Sequence, residues 1–126
     1  MITNFEGVTN PLSDDEMRLV PYIIDGLKKR DKDHPIKGAE ICERMQAFKK
    51  TIGIKEKPKL TDARLRKIVS YIRINALLPI GATSNGYFCI TDYLELDGQI
   101  KSLKERADAI YAAADGIKRA FENPLN

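Results

Sequence analysis

The side chains best suited to chemistry in this sequence are cationic, and they are concentrated in the middle of the chain. Residues 28–73 contain fifteen Lys or Arg residues against six Asp or Glu residues, a net charge of +9, whereas the whole chain of 126 residues carries +3. Residues 1–27 carry −4, from one basic and five acidic side chains, and residues 92–126 carry −2, from five basic and seven acidic ones. Such a concentration predicts a polyanionic partner, although solvated helix faces also collect lysines.

The chain offers little support for catalysis or metal binding. His34 is its one histidine, so a Ser-His-Asp triad is hard to assemble, and no glycine-rich phosphate loop is present. Cys42 and Cys89 with His34 are too few ligands for a zinc site, and we expect both cysteines to be small buried apolar residues. The acidic pair Asp14-Asp15 is better explained as the start of a helix. We therefore expect neither an enzyme nor a protein that requires a metal or cofactor.

Two helices are predicted in the first half of the chain. Residues 13–16 (Ser-Asp-Asp-Glu) form a capping box, which opens a helix that should run to about Lys29. Pro21 lies inside this pattern and should kink or split the helix. Ile36 is predicted to pair briefly as an edge strand, and a second helix is predicted over residues 39–50.

A third helix is predicted after a loop over residues 51–60. Thr61 is a good N-cap, and the helix should run from there to residue 76. One face is consistently apolar at helical spacing and should enter the core. That face comprises Leu65, Ile68, Val69, Ile72 and Ala76.

The uncharged stretch after the third helix predicts a β-hairpin. Two short apolar runs, residues 78–82 and 87–91, flank the dipeptide Asn85-Gly86. Asn-Gly is a strong turn signal because both residues tolerate positive φ. Pro79 argues against a central position for the first strand, since proline cannot donate a backbone hydrogen bond.

A long amphipathic helix is predicted to follow, with a capping box at residues 92–95 and an end at Asn123-Pro124. Its apolar residues alternate at spacings of four and three, which is the pattern of a coiled-coil seam. The first half of the helix could pack on the first helix of the same chain, while the second half pairs with another copy. The predicted homodimer interface starts after Leu96 and comprises Ile100, Leu103, Ala107, Ile110, Ala114, Ile117 and Phe121.

These elements in this order resemble a winged helix-turn-helix DNA-binding domain. PIKGAEICERM resembles the strand and second helix of that fold, TDARLRKIVSYIRIN its recognition helix and LPIGATSNGYFCIT its wing. The wing segment is similar to those of biotin-repressor-type domains and small prophage proteins. The resemblance implies an α+β, mostly helical fold. It would comprise a flexible leader over residues 1–12, a winged-helix domain over residues 13–91 and a long C-terminal helix over residues 92–126.

The resemblance also implies that the third helix contacts duplex DNA. Arginine can donate two hydrogen bonds to guanine, and lysine can contact guanine or phosphate. Lysines in the adjacent loop suit phosphate oxygens. The predicted DNA-binding residues are Lys49, Lys50, Lys55, Lys57, Lys59, Thr61, Arg64, Arg66, Lys67, Ser70, Tyr71, Arg73, Ser84 and Asn85.

The expected function is therefore DNA binding in transcription or replication control, by a phage-related homodimer. The absence of a signal-peptide pattern and of a bilayer-length apolar run predicts a cytoplasmic protein without a membrane partner. The alternative is a winged-helix module that holds a protein partner through its long helix and does not bind DNA. The uncharged wing, whose tip is formed by residues 83–85, and the ten-residue loop favour that alternative.

Overall fold

The computed structural model describes residues 12–123, which divide between Thr91 and Asp92 into two units. The elements of the first unit are α1 (Asp14–Lys28), α2 (Gly38–Phe48), α3 (Asp62–Ile74), β1 (Ile80–Thr83) and β2 (Gly86–Cys89). The second unit contains α4 (Tyr93–Glu122). The predicted class, mostly helical with a small antiparallel sheet and a long C-terminal helix, is confirmed.

The apolar face of α3 forms the centre of the core in the first unit. Leu65, Ile68 and Ile72 are fully buried, as the helical spacing predicted. Ala76 does not join them, because α3 ends at Ile74 and Ala76 adopts a positive φ of 56°. The side chains clustered with this face come from α1, α2 and the hairpin, and include Leu19, Ile23, Leu27, Ile41 and Ile80.

Helix α1 begins at the predicted capping box and continues through its proline. The Ser13 hydroxyl accepts from the Glu16 N–H at 3.1 Å, and the Glu16 carboxylate accepts from the Ser13 N–H at 2.8 Å. Pro21 does not split the helix. Pro21 and Met17 are both exposed, so water can reach the Met17 carbonyl that the proline leaves without its usual donor.

The start of the described chain is more deeply packed than the predicted leader implied. Leu12 was assigned to that leader, but it is buried in the core beside the residues of α1 and α3. The rest of the leader, residues 1–11, lies outside the described residues.

The predicted hairpin is present, but its strands are shifted from the predicted ranges of residues 78–82 and 87–91. Strand pairing runs from Ile80 opposite Cys89 to Thr83 opposite Gly86, so the turn is Ser84-Asn85. Gly86, at φ 131°, belongs to the strand, and no positive φ occurs at Asn85. The sequence therefore predicted the turn in the right part of the chain, but placed its two central residues at 85–86 instead of 84–85.

The predicted edge strand at Ile36 is confirmed as a single bridge to the hairpin. The Ile36 N–H donates to the Tyr87 carbonyl at 2.9 Å, and the Tyr87 N–H donates to the Ile36 carbonyl at 2.8 Å. The chain passes so close to Gly86 that a Cβ there would lie 2.4 Å from the Ile36 carbonyl oxygen. Glycine is therefore required at position 86 both by its φ and by this approach.

Helix α4 begins at the predicted N-cap, Asp92, whose side chain accepts from the Glu95 N–H at 2.8 Å. Its 30 residues span about 45 Å. No residue of α4 is buried. Across residues 12–123, the helices are too short or too polar to cross a membrane.

Gly86→Ala is expected to destabilise the first unit by about 1–3 kcal/mol, because it forces a side chain into a strained φ and against the Ile36 backbone. Urea unfolding followed by circular dichroism would measure the loss. Gly26→Ala is the matched control, since a Cβ at that exposed position of α1 meets nothing within 4 Å. The control should gain up to about 1 kcal/mol from helix propensity. Equal stabilities of the two variants would contradict the assigned role of Gly86.

Candidate nucleic-acid interface

The outer side of α3 carries two accessible cationic side chains, Arg66 and Lys67. The Arg66 guanidinium lies 3.1 Å from the Asp62 carboxylate one turn earlier, and both side chains are more than 60% exposed, at 65% and 62%. Exposed pairs of this kind contribute little to stability, so Arg66 can exchange Asp62 for another anion. Lys67 lies next to it, partly exposed.

Ser70 and Tyr71 are half-buried further along α3, and Thr61 is committed to the start of the helix. The Thr61 hydroxyl accepts from the Arg64 N–H at 3.3 Å. This contact makes Thr61 the N-cap that the sequence predicted. Of these three predicted contact residues, Thr61 therefore has a structural role, because its hydroxyl caps α3.

Arg64 was predicted to contact DNA, but the structure pairs it with a buried acid. Its Nη1 lies 2.8 Å from Oε2 of Glu16, which is 5% exposed. Glu16 also accepts from the Ser13 N–H, so one carboxylate joins the start of α1 to α3. Removing Arg64 would leave a buried carboxylate without its charged partner. Arg64 therefore has a structural role as the partner of Glu16, and the DNA contact predicted for it stays a prediction.

The environment of Glu16 favours its charged form. Burial alone would raise its pKa, but the hydrogen bonds from Ser13 and Arg64 outweigh that effect, and the pKa is lowered from 4.5. The carboxylate therefore remains ionised at neutral pH and holds Arg64 by both charge and hydrogen bonding.

Arg73 also has a structural task. Its Nε donates to the Ile80 carbonyl at 3.0 Å, which fastens the first residue of β1 to the last turn of α3. The side chain is half-buried. Arg73 was predicted to contact the DNA backbone. Its hydrogen bond to Ile80 explains the observed orientation of the side chain without any DNA contact.

The segment over residues 49–60, which includes the predicted loop, is anchored to α2 and to the core. Ile54 and Leu60 are buried, and the Leu60 N–H donates to the Gln46 side chain at 2.9 Å. Gln46 in turn donates to the Glu56 carbonyl at 2.9 Å. These contacts fix the backbone position of the loop, and therefore also the points from which its side chains project.

Lys49 is the clearest error among the predicted DNA contacts. It is 4% exposed, and its Nζ donates to the carbonyls of Pro58 at 2.7 Å and Glu56 at 3.3 Å. A buried ammonium needs such acceptors because it has lost water. The four exposed lysines of this segment are Lys50, Lys55, Lys57 and Lys59.

Two open grooves meet at the first turn of α3, where Ala39 and Asp62 line both of them. The larger, about 770 Å³, is also lined by Lys50 and Lys59. The smaller, about 350 Å³, reaches the hairpin turn and Lys37. Lys37 was not among the predicted contact residues. Its position directly before α2 was the one indication in the sequence that it could lie near the start of α3.

The turn of the hairpin is exposed and uncharged. Ser84 and Asn85 are both accessible, and the Asn85 N–H donates to the Thr83 hydroxyl at 3.1 Å. Their polar side chains can form hydrogen bonds to phosphate or sugar, but they add no charge to the surface.

The grooves contain no activated nucleophile. Cys42 and Cys89 are free, half-buried thiols. Burial, with a smaller effect of the nearby Asp62 carboxylate, raises the pKa of the Cys42 thiol and of the Tyr87 hydroxyl. Both groups therefore stay protonated at neutral pH. Within residues 12–123, no three His, Cys, Asp or Glu side chains cluster in a way that could hold a metal ion.

The predicted interface residues on α4 are exposed. The relevant side chains are more open toward the end of the helix, from 41% at Ile100 and Leu103 to 87% at Phe121. Ala107 and Ala114 are exposed between them. The predicted seam is therefore an apolar row that is uncovered within its own unit.

Comparison with known proteins gives no match: no family model, no curated protein and no solved structure matches this chain.

Glu16→Gln is expected to remove part of the acid sensitivity of the fold. Because the folded pKa is lowered, the carboxylate contributes stability that is complete above the ordinary value of 4.5 and is lost as pH falls through the folded pKa. The free energy of unfolding of the wild type should thus decrease as the pH is lowered below about 4.5, and that of the variant should decrease less steeply. Asp14→Asn, which removes one exposed charge from the same turn, is the control for the loss of charge alone. A Glu16→Gln slope equal to that of wild type would contradict the pairing.

Lys49→Met is expected to lower the free energy of unfolding by about 1–3 kcal/mol, because it leaves two loop carbonyls without their donor. Lys50→Met removes the same charge from the next, exposed position and should change stability by less than about 0.5 kcal/mol. Urea titration of both variants measures the difference. Equal effects would show that the buried ammonium does not hold the loop.

Proposed function

We propose that the first unit is a winged helix-turn-helix that binds duplex DNA, with α3 in the major groove and the hairpin as its wing. The observation that carries the proposal is the accessible pair Arg66 and Lys67 on the outer side of α3, beside an anchored loop with exposed lysines. An α-helix fits the major groove, and its exposed N-terminal half reaches base edges.

The connection between α3 and the hairpin supports this proposal. The hairpin follows α3 after a short link and is fastened to it through Arg73 and the Ile80 carbonyl. The bridge at Ile36 ties the hairpin to the residues just before α2. A wing held in this way has a fixed position relative to the helix that would enter the groove.

The proposed contacts divide between base and backbone. Arg66 is assigned to a guanine edge and Lys67 to guanine or phosphate. The lysines assigned to phosphates are Lys50, Lys55, Lys57 and Lys59. Arg64, Arg73 and Lys49 are left out because each already holds the protein together.

The ion pair between Arg66 and Asp62 does not prevent such binding. An exposed pair one turn apart on a helix contributes about 0.3–0.5 kcal/mol, whereas a bidentate contact to guanine discriminates by about 1–3 kcal/mol. The cost of breaking the exposed pair is therefore smaller than the discrimination that the base contact supplies, and the Asp62 carboxylate would select against a phosphate placed beside it.

A protein-binding role is the second candidate, and one surface property favours it. The hairpin turn brings no charge, and acidic Glu43, Glu56 and Asp62 line the groove beside α3. This candidate predicts no affinity for DNA even at low salt, which separates it from the first.

Arg66→Ala/Lys67→Ala is expected to weaken binding to a fluorescent random-sequence duplex at least about tenfold at low salt. Fluorescence anisotropy over a salt series should also show a slope of log K against log salt that is smaller by up to about 1, because Lys67 can contact a phosphate whereas Arg66 is assigned to a base edge. Lys28→Ala/Lys29→Ala is the control, since it removes the same charge from exposed positions at the end of α1 and should bind as wild type does.

Two results would contradict the proposal in different ways. Wild-type protein that fails to bind duplex at low salt would exclude DNA binding and favour the protein-binding role. Equal losses in the two double variants would show that α3 is not the contact surface, and that only total charge matters.

A further inference from the structure

The long helix α4 carries an apolar row that nothing in its own unit covers. The row consists of Leu96, Ile100, Leu103, Ala107, Ile110, Ala114, Ile117 and Phe121, and it contains no buried residue. Most of the stability of a helix in a protein comes from packing of its apolar face. Gly98 and Gly116 lie within the helix and lower its intrinsic stability by up to about 1 kcal/mol each relative to alanine. The helix therefore gains from a partner along this row.

The spacing of the row defines the geometry of that partner. The alternation of four and three residues over four heptads is that of a coiled coil. It places Ile100, Ala107, Ala114 and Phe121 at the a positions and Leu96, Leu103, Ile110 and Ile117 at the d positions. Gly98 and Gly116 fall outside the seam, at f and c, where the absence of a side chain does not affect packing.

The sizes of the seam residues favour an antiparallel pair of identical helices. In a parallel pair each residue meets its own copy, so Ala107 and Ala114 would form two thin layers. In an antiparallel pair each a residue can face a d residue, with Ala107 opposite Ile110 and Ala114 opposite Leu103 of the second copy. The interior is then filled evenly, because every alanine meets a larger side chain.

The remaining layers of the same register are equally well matched. Ile100 faces Ile117 of the second copy, and Leu96 faces Phe121 of the second copy. All eight seam residues find a partner in this alignment, and none extends past the described helix.

The charges that flank the seam also favour the antiparallel arrangement. In the same register Asp97 lies near Lys118 of the second copy, and symmetry gives this opposite-charge pair twice. A parallel pair would instead bring Asp92 toward Asp97 of the second copy, and the other flanking pairs between residues 92 and 118 would have no opposite charges. Both Asp97 and Lys118 are exposed.

We infer that α4 pairs with α4 of a second copy as an antiparallel coiled coil, with Ile100 opposite Ile117. The inference does not depend on DNA binding by the first unit. It places the two N-termini of α4 at opposite ends of the paired helices, about 45 Å apart.

Cysteine cross-linking of the full chain tests both the pairing and its direction. In a Cys42→Ala/Cys89→Ala background, one sample carries Ile100→Cys and another carries Ile117→Cys. Under mild oxidation, each sample alone should stay uncross-linked, because the two copies of residue 100 would lie about 25 Å apart along the axis. The mixed samples, after exchange of subunits, should form a covalent dimer. Cross-linking within either separate sample, or none in the mixture, would overturn the inference.

Charge reversal gives a second test that retains the native cysteines and the core. Asp97→Lys places two lysines opposite each other, and Lys118→Asp places two aspartates opposite each other, so each should weaken dimerisation in sedimentation equilibrium. The double variant restores the opposite charges and should recover the wild-type dimer. A wild-type protein that sediments as a 14.2 kDa monomer at micromolar concentration, or a double variant that recovers nothing, would refute the pairing.

Discussion

The burial of one face of α3 is the constraint on which the rest of the first unit depends. Leu65, Ile68 and Ile72 are removed from water completely, and each such side chain contributes about 1.5–3 kcal/mol on burial. Because side chains on a helix are fixed at about 100° intervals, burying this face also decides which residues turn outward. Arg66 and Lys67 are accessible for that reason, and α1, α2 and the hairpin are arranged around the same face.

Cationic residues in this protein divide into those that hold the fold and those that remain accessible. Arg64, Arg73 and Lys49 each direct their donors to an acceptor of the protein, either the Glu16 carboxylate or backbone carbonyls. An arginine or lysine that loses water must find acceptors elsewhere. The number of Lys and Arg residues in the sequence is thus an upper limit on the number of cationic side chains that a partner can contact. The folded structure sets how many of them remain accessible.

The local signals in the sequence were more informative than the long-range ones. The caps at Ser13, Thr61 and Asp92 and the period of α3 were predictable because each depends on residues within one or two turns. The pairing of Glu16 with Arg64, 48 residues apart, was not, since no local pattern specifies which distant acid an arginine meets. The burial of Lys49 was also not predictable, because it depends on the path of the loop over residues 51–60. The continuity of α1 through Pro21 likewise depends on whether the Met17 carbonyl is exposed to water.

The hairpin is fastened at two places, near its base through Arg73 to the end of α3 and near its turn through the bridge from Tyr87 to Ile36, just before α2. These hydrogen bonds, at 2.8–3.0 Å, connect the hairpin to α3 on one side and to the start of α2 on the other. The turn and the outer side of α3 therefore keep a fixed relative position within the first unit, so the distance between these two exposed surfaces is set by the fold.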